Sequence, residues 1–385
     1  MKFYKGLLSA AVALTLTVSI PAVNASAFLV STDVPLSDIN KTGAYFNSLE
    51  SAADYVREAM RNREKNIFFS LPKTFVNDND FYKMIELAVG ETDNSAEGDY
   101  LRKSIKEVVC NRSLDNQRCY FSYFVTYNTT AEQEKYVTDK VADIIKDLNI
   151  NSLDDYNKAA AIYNYIIQNV DYEYESEEDE YFTAYGALKE GKAVCQGYAQ
   201  LFYRIAKDAG LSCRMVFGTT TDAHAWNIVE VDGLYYLCDA TYDVFCSSID
   251  DCNYFMKGSQ DFDEYDDEII HVPESLEEYD PLLVDYTSKE FISRYRIADT
   301  AYKTDYHKGD VNSDSVVDSA DASLVMAEYA RSSTAGSSAF SSAQRNAADV
   351  NGDEIIDSSD ASSILAYYAY VSTGGKISIE DYLRR

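Results

Sequence analysis

Apolar residues recur at helical spacing over residues 132–148 and again over 153–170, where Ile162, Tyr163, Ile166 and Ile167 share one face. Residues 54–63 also read as a helix. Residues 66–71 (NIFFSL) and 120–127 (YFSYFVTY) read as strands. Residues 198–209 predict a buried helix, with Leu201, Phe202 and Ile205 on one stripe and Gly210 as its stop. A strand follows at 215–217. Two further strands flank Asp232-Gly233, a strong hairpin signal. Glu173 to Glu180 reads as an acidic loop, and residues 306–372 contain an internal repeat.

Composition narrows the class. The 385 residues allow two or three domains, and 46% hydrophobic content supports a sizeable core. The net charge is −30, from 64 acidic against 34 basic residues, which disfavours a general nucleic-acid role needing clustered Lys and Arg. At the N-terminus, Lys2 and Lys5 precede a run of apolar residues from Leu7 to Ile20, then Pro21 and the small-x-small pattern Ala25-Ser26-Ala27. That run is short for a bilayer span of about 20 residues. It predicts a secretory signal peptide over 1–27, a secreted chain starting near Phe28, and no membrane segment thereafter. Seven cysteines, an odd number, predict a free thiol; Cys110/Cys119 and Cys246/Cys252 are each spaced to close a short loop.

Candidate chemistry concentrates in three places. Cys195, in GKAVCQGY, stands just before the predicted helix 198–209. A helix N-terminus favours thiolate over thiol, and a neighbouring imidazole does so by ion pairing. His224 lies in HAWN and Asp239 in DATYD. If Asp232-Gly233 is a two-residue turn, Val231 faces Leu234 and Trp226 faces Asp239. Side chains alternate along a strand, so His224 and Trp226 share a face, and Asp239 is a diagonal neighbour of His224. Asp239 can then orient one imidazole nitrogen and leave the other for Cys195. Trp226, the sole tryptophan, is either a core aromatic or a wall beside the imidazole.

At these motifs, GKAVCQGYA, HAWN and DATYD, residues 130–275 resemble the transglutaminase-like superfamily. The resemblance implies a papain-like fold with Cys195 as nucleophile, His224 as general base and acid, and Asp239 orienting the imidazole. It also implies an oxyanion hole built from the Cys195 N–H and one upstream donor, with Tyr185 the candidate. Tyr242 departs from the Trp common in relatives, and His271 is assigned a structural role. The acyl-enzyme can be resolved by water or by an amine, so hydrolysis and cross-linking both remain open. A non-catalytic binding module is the rival reading.

The repeat has a period of 39 residues: DVNSDSVVDSADASLVMAEYA at 310–330 and DVNGDEIIDSSDASSILAYYA at 349–369. Oxygen-bearing side chains occupy positions 1, 3, 5, 9 and 12: Asp310, Asn312, Asp314, Asp318 and Asp321, then Asp349, Asn351, Asp353, Asp357 and Asp360. At position 7, Val316 and Ile355 offer a backbone carbonyl, with their side chains expected in the core. This supplies the compact set of hard oxygens that Ca²⁺ takes. Position 6 is Ser315 or Glu354 rather than the Gly of an EF-hand, and position 12 is Asp rather than Glu. The segment resembles a type I dockerin, which implies two structural Ca²⁺ ions and a cohesin partner on an extracellular scaffold. Val325 and Ile364 are predicted core positions.

The expected architecture is therefore α+β: an N-terminal extension (28–130), a papain-like catalytic domain (131–275), an acidic linker (276–305), a small all-α dockerin (306–372) and a tail (373–385). The expected activity is a thiol enzyme acting on protein or peptide amide bonds, with no cofactor in catalysis.

Overall fold

The computed structural model describes residues 27–30, 34–74, 78–174, 178–266, 268–302, 307–312, 314, 316–335, 340 and 342–384. The predicted signal peptide lies outside the described residues apart from Ala27.

The N-terminal unit is more regular than the sequence reading implies. It contains β1 (Ala27–Val30), β2 (Ala44–Tyr45), α1 (Leu49–Arg61), β3 (Asn66–Pro72), α2 (Asp78–Ala88), α3 (Gly98–Ser104), β4 (Ile105–Leu114) and β5 (Arg118–Tyr127). These strands form one sheet in the order β1-β4-β5-β3-β2. Ser48 caps α1 by accepting from the Ser51 N–H, and Ala52, Ala53, Val56, Ala59 and Met60 form its buried stripe. Cys110 pairs with Tyr123 while Cys119 pairs with Leu114. The register thus sets the two cysteines four positions apart, and both are buried and outside any disulfide. The expected Cys110/Cys119 loop closure does not form, because neighbouring strands must align the two residues before their sulfurs can meet.

The second unit begins with α4 (Ala131–Asp147) and α5 (Asp155–Asn169), followed by β6 (Asp171–Tyr172), α6 (Ala184–Lys189) and β7 (Lys192–Ala193). Then come α7 (Cys195–Asp208), β8 (Cys213–Thr219), β9 (Ala223–Val231), β10 (Leu234–Cys238) and β11 (Val272–Pro273). The strands run β10-β9-β8-β11, all antiparallel, with β6 and β7 as a separate parallel pair. The central helix α7 packs on this sheet and is buried from Cys195 to Ala206. The mixture of helix and strand is that of the expected α+β class.

A buried polar seam joins the two units. Asp99 on α3 accepts from Arg214 of β8 through Nε at 2.7 Å and Nη2 at 2.9 Å, and from the Met215 N–H at 3.0 Å. Glu91 accepts from the Tyr203 hydroxyl of α7 at 2.9 Å. A bidentate pair of this kind, closed to water, fixes the relative orientation of the elements that carry it.

Of the expected linker 276–305, the described residues 276–302 are instead packed. Leu282 is buried with the N-terminal sheet, and Tyr286, Phe291, Tyr295 and Ala298 are buried in the second core. The Tyr235 N–H donates to the Arg296 carbonyl and the Ala298 N–H to the Tyr235 carbonyl. A short helix, α8 (Lys289–Arg294), presents Phe291, whose ring and that of Tyr295 cover the Arg214 guanidinium. The acidic composition describes only the outward positions; the widely spaced aromatics carry the segment inward.

The C-terminal unit holds α9 (Ser319–Ala335), α10 (Ser342–Ala348), α11 (Ser358–Ser372) and α12 (Ile379–Leu383). Val325 and Ile364 are buried in its core, as the repeat spacing predicts. The expected tail contributes α12, with Ile379 buried, so the unit extends beyond residue 372.

Candidate active site

Cys195 is the first residue of α7, after Val194 at the cap position, and it is fully buried. Val194 offers no side-chain acceptor, so the positive end of the helix is directed at the thiol rather than quenched by a capping oxygen. The hairpin takes the register derived from its turn: Leu234 faces Val231 and Cys238 faces Asn227, which puts Asp239 opposite Trp226 just beyond β10. Asp232 and Gly233 sit at φ 52° and 81°, the left-handed pair that a two-residue turn of this type requires.

The three motifs meet. His224 Nε2 lies 2.5 Å from Asp239 Oδ2. The imidazole also hydrogen-bonds the Cys195 side chain, leaving Nδ1 as the nitrogen that faces sulfur. Asp239 Oδ1 accepts from the Thr241 N–H at 2.9 Å and from the Thr241 hydroxyl. Burial disfavours the charged forms of both groups, but mutual attraction outweighs it. The Asp239 charge, joined by that of Cys195, holds the His224 imidazolium well above the usual histidine range. His224, joined by His271, holds the Asp239 carboxyl well below the usual carboxylate range. Trp226 stacks beside the His224 ring at 6.1 Å, and Tyr242 lies at 5.0 Å, its hydroxyl bonded to Thr220 at 2.8 Å. These rings keep water from the ion pair.

Three residues stand apart from the sequence reading. Tyr185, the candidate oxyanion donor, lies half-buried on α6 with its ring edge-on to Tyr136 of α4 at 5.4 Å. That is a packing contact, which gives the donor role no support. Tyr172 is the tyrosine beside the nucleophile. β6 pairs with β7, setting Tyr172 opposite Ala193, and its hydroxyl accepts from the Cys195 backbone N–H. Burial, then the Cys195 charge, pushes the Tyr172 phenol up. Parallel two-residue pairings leave no periodic trace in sequence, so this placement was not legible there. His271 is the other addition: its Nε2 lies 3.1 Å from Asp239 Oδ2.

Among the described residues, two clusters bring three metal-capable atoms within 4.8 Å: His224, Asp239 and His271, and Asp243, Cys246 and Cys252. In the first, imidazole–carboxylate hydrogen bonds account for the approach. In the second, the Asp243 carboxylate is already used by the Tyr163 hydroxyl and the N–H groups of Asn253 and Tyr254. Cys246 and Cys252 do lie close together, as free thiols.

The C-terminal loops wrap in the same way. Asp321 accepts from the N–H groups of Val311, Asn312 and Asp318, and Asp360 from those of Val350, Asn351 and Asp357. Both carboxylates are fully buried. Among the described residues, no ion pair reaches Asp314, Asp318, Asp321, Asp349, Asp353, Asp357 or Asp360. Burial first, with the Asp349 charge, pushes the Asp360 carboxyl up. Hard oxygens gathered without cationic partners fit Ca²⁺. Glu354, at position 6, takes the left-handed φ of 64° that Gly supplies in an EF-hand, while Ser315 lies outside the described residues. One expectation is corrected: Val316 and Ile355 point to solvent, and Val317 and Ile356 pack on the core instead. Once the position-7 carbonyl turns into the loop, its side chain faces out, and the next residue takes the core side.

Comparison with known proteins agrees with this division. Residues 142–240 match the family model of the transglutaminase-like superfamily, and residues 308–367 that of the dockerin type I domain. The chain carries both domains. A type I dockerin typically binds calcium. Kyphoscoliosis peptidase of Mus musculus is 29% identical over 116 residues, covering 26% of this chain and 18% of that protein. The Homo sapiens counterpart is 27% identical over 157 residues, covering 37% of this chain and 22% of that protein. The chain thus spans about a fifth of the length of these relatives. Among solved structures, a TGase is matched at TM-score 0.27 and 15% identity, over 52% of this chain and 59% of that one. A candidate cysteine protease from Cytophaga hutchinsonii is matched at 0.22 and 17%, over 32% and 53%.

Proposed function

We propose that this protein is an exported thiol enzyme that cleaves amide bonds of proteins or peptides through Cys195, His224 and Asp239, and that its C-terminal domain docks it to a scaffold. The observation that carries the reading is the His224 imidazole, bonded to Asp239 on one side and to Cys195 on the other, at the N-terminus of α7. Export rests on the N-terminal pattern Lys2, Lys5, Leu7–Ile20 and Ala25-Ser26-Ala27.

In the reaction, the Cys195 thiolate attacks the carbonyl carbon and an S–C bond forms. The developing oxyanion takes hydrogen bonds from the Cys195 N–H and from Tyr172, whose hydroxyl turns from accepting that N–H to donating. His224 Nδ1 passes its proton to the leaving amine as the C–N bond breaks. Water, deprotonated by His224, then resolves the thioester. Asp239 holds the imidazole in place and stabilises its charged form.

Two Ca²⁺ ions would be held by Asp310, Asn312, Asp314, Asp318, Asp321 and the Val316 carbonyl, and by Asp349, Asn351, Asp353, Asp357, Asp360 and the Ile355 carbonyl. The ions neutralise the loop carboxylates and set α9 and α11 as a docking face for a cohesin. Exposed Met326 and Tyr329 on α9 are matched one repeat later by exposed Leu365 and Tyr368 on α11. Two equivalent faces would permit two docking orientations.

The test is incubation with protein substrates and a primary amine, with products read by mass spectrometry. New chain termini that depend on Cys195 support hydrolysis. Amine incorporation would assign transamidation instead. Neither product would leave the chain a binding module.

A further inference from the structure

Asp239 serves two imidazoles. Its Oδ2 lies 2.5 Å from His224 Nε2 and 3.1 Å from His271 Nε2, while Oδ1 takes both Thr241 donors. Four donors fill the four lone-pair sites of an ionised carboxylate. The far nitrogen of His271, Nδ1, lies 2.7 Å from Asp263 Oδ1, and the His271 N–H donates to Asp263 Oδ2 at 3.2 Å.

A neutral imidazole carries one N–H and one bare nitrogen. Both nitrogens of His271 face carboxylate oxygens, and an ionised carboxylate only accepts. Two acceptors require two donors. The Asp263 side chain is 31% exposed, so water also solvates its charge, whereas that of His271 is 2% exposed. Phe262 packs on the His271 ring at 4.2 Å and Trp226 meets it edge-on at 5.0 Å, which holds both nitrogens on their partners.

We infer that His271 is a positioning residue: an imidazolium clamped between Asp239 and Asp263 that holds the Asp239 carboxylate on His224 and moderates how strongly that carboxylate stabilises the His224 imidazolium. The line of groups then runs Cys195, His224, Asp239, His271, Asp263, with alternating charge. This inference rests on the proposed catalytic role of the first three.

Other titratable groups also surround His271. Its ring faces His224, Tyr242 and Tyr254. Asp266 lies beyond, towards Tyr254, and Asp243 is bonded to the Tyr254 N–H. The consequence has a definite sign. A cation on Asp239 opposes a second cation at His224, so the His224 proton is lost at lower pH than it would be with Asp239 unshared. Removing the His271 charge must move that loss upward.

The experiment uses the full chain and iodoacetate, with alkylation of the Cys195 peptide followed by mass spectrometry across pH. Iodoacetate is an anion and reacts best while thiolate and imidazolium coexist, so the rate is bell-shaped and its falling limb reports loss of the His224 proton. His271→Gln keeps an N–H for Asp239 without charge. Asp263→Asn lets His271 become neutral with both hydrogen bonds intact. Each should raise the falling limb by about one pH unit. His271→Ala should slow alkylation at the optimum by about 10²-fold through misplacement, and His271→Gln should recover most of that loss. A falling limb unmoved or lowered in both His271→Gln and Asp263→Asn, with folding intact by circular dichroism, overturns the inference. ¹⁵N-histidine spectra provide a second measurement, since the chain has only three histidines. A single protonated nitrogen on His271 also overturns it. If wild-type Cys195 alkylates no faster than the other cysteines, or His224→Ala leaves its rate unchanged, the proposed catalytic reading has failed, and this inference falls with it.

Discussion

His224 and Asp239 are fifteen residues apart in the chain, yet their side chains meet at 2.5 Å on one face of a hairpin. The contact follows from the turn. With Asp232 and Gly233 as the two-residue loop, every cross-strand pair sums to the same total, and Asp239 falls opposite Trp226. A slip of one position would send one of the pair to the opposite face.

Cys195→Ser should abolish turnover and leave folding intact, because the smaller oxygen fills the same buried space but does not ionise near neutral pH. Cys213→Ser and Cys246→Ser should retain activity. Product assays with circular dichroism on all three decide the matter; equal losses across the set would remove the unique nucleophile.

Asp239→Asn should lower kcat with little change in KM. The amide keeps the shape but cannot stabilise the imidazolium. A loss of about 10⁴ is the ceiling, as measured for that change in a serine triad. The loss here should be smaller, since a thiol partly ionises unaided. Steady-state kinetics at wild-type level would exclude the orienting role.

Tyr172→Phe should cost about 10²-fold in kcat, the scale of one oxyanion donor. Alkylation of Cys195 by iodoacetate should change far less, because displacement at an sp³ carbon develops no oxyanion. A parallel fall in both rates would mean that Tyr172 only shapes the helix entrance.

Stability should fall as pH rises towards neutrality. Burial, with the charge of Asp99, pushes Glu91 up to about 7. An unfolded glutamate titrates near about 4.3. Between those values the native state keeps a proton that the unfolded chain has released. The stabilisation is therefore complete below the lower value and lost through the upper one, with a slope of at most about 1.4 kcal/mol per pH unit. Urea unfolding of Glu91→Gln should show a flatter dependence between about pH 5 and 7; an unchanged slope would clear Glu91 of the effect.

Chelation should abolish cohesin binding while leaving Cys195 chemistry intact, and Asp310→Ala combined with Asp349→Ala should do the same in calcium. Binding to the folded loops alone stabilises them, so calcium should also protect residues 307–384 from proteolysis. Calcium-independent protection or docking would show that the acidic repeat folds without metal.

Local rules carried much of this protein. Period and turn chemistry were enough to place α4, α5, α7 and the β9–β10 hairpin, because each depends on near neighbours in the chain. The same holds for the 39-residue repeat, whose ligand spacing lies within a single loop. The meeting of Cys195 with the hairpin lay further off, and came from motif resemblance rather than periodicity. What only the tertiary structure decided are contacts between segments with no fixed register to each other. Tyr172 reaches the Cys195 N–H through a two-residue parallel pairing. His271 reaches Asp239 from 32 residues downstream, by way of a loop. The acidic stretch 276–302 folds back because a few scattered apolar side chains find buried surface on two different cores. Burial is set by what lies opposite in space, and a linear pattern records it only where one element supplies both partners.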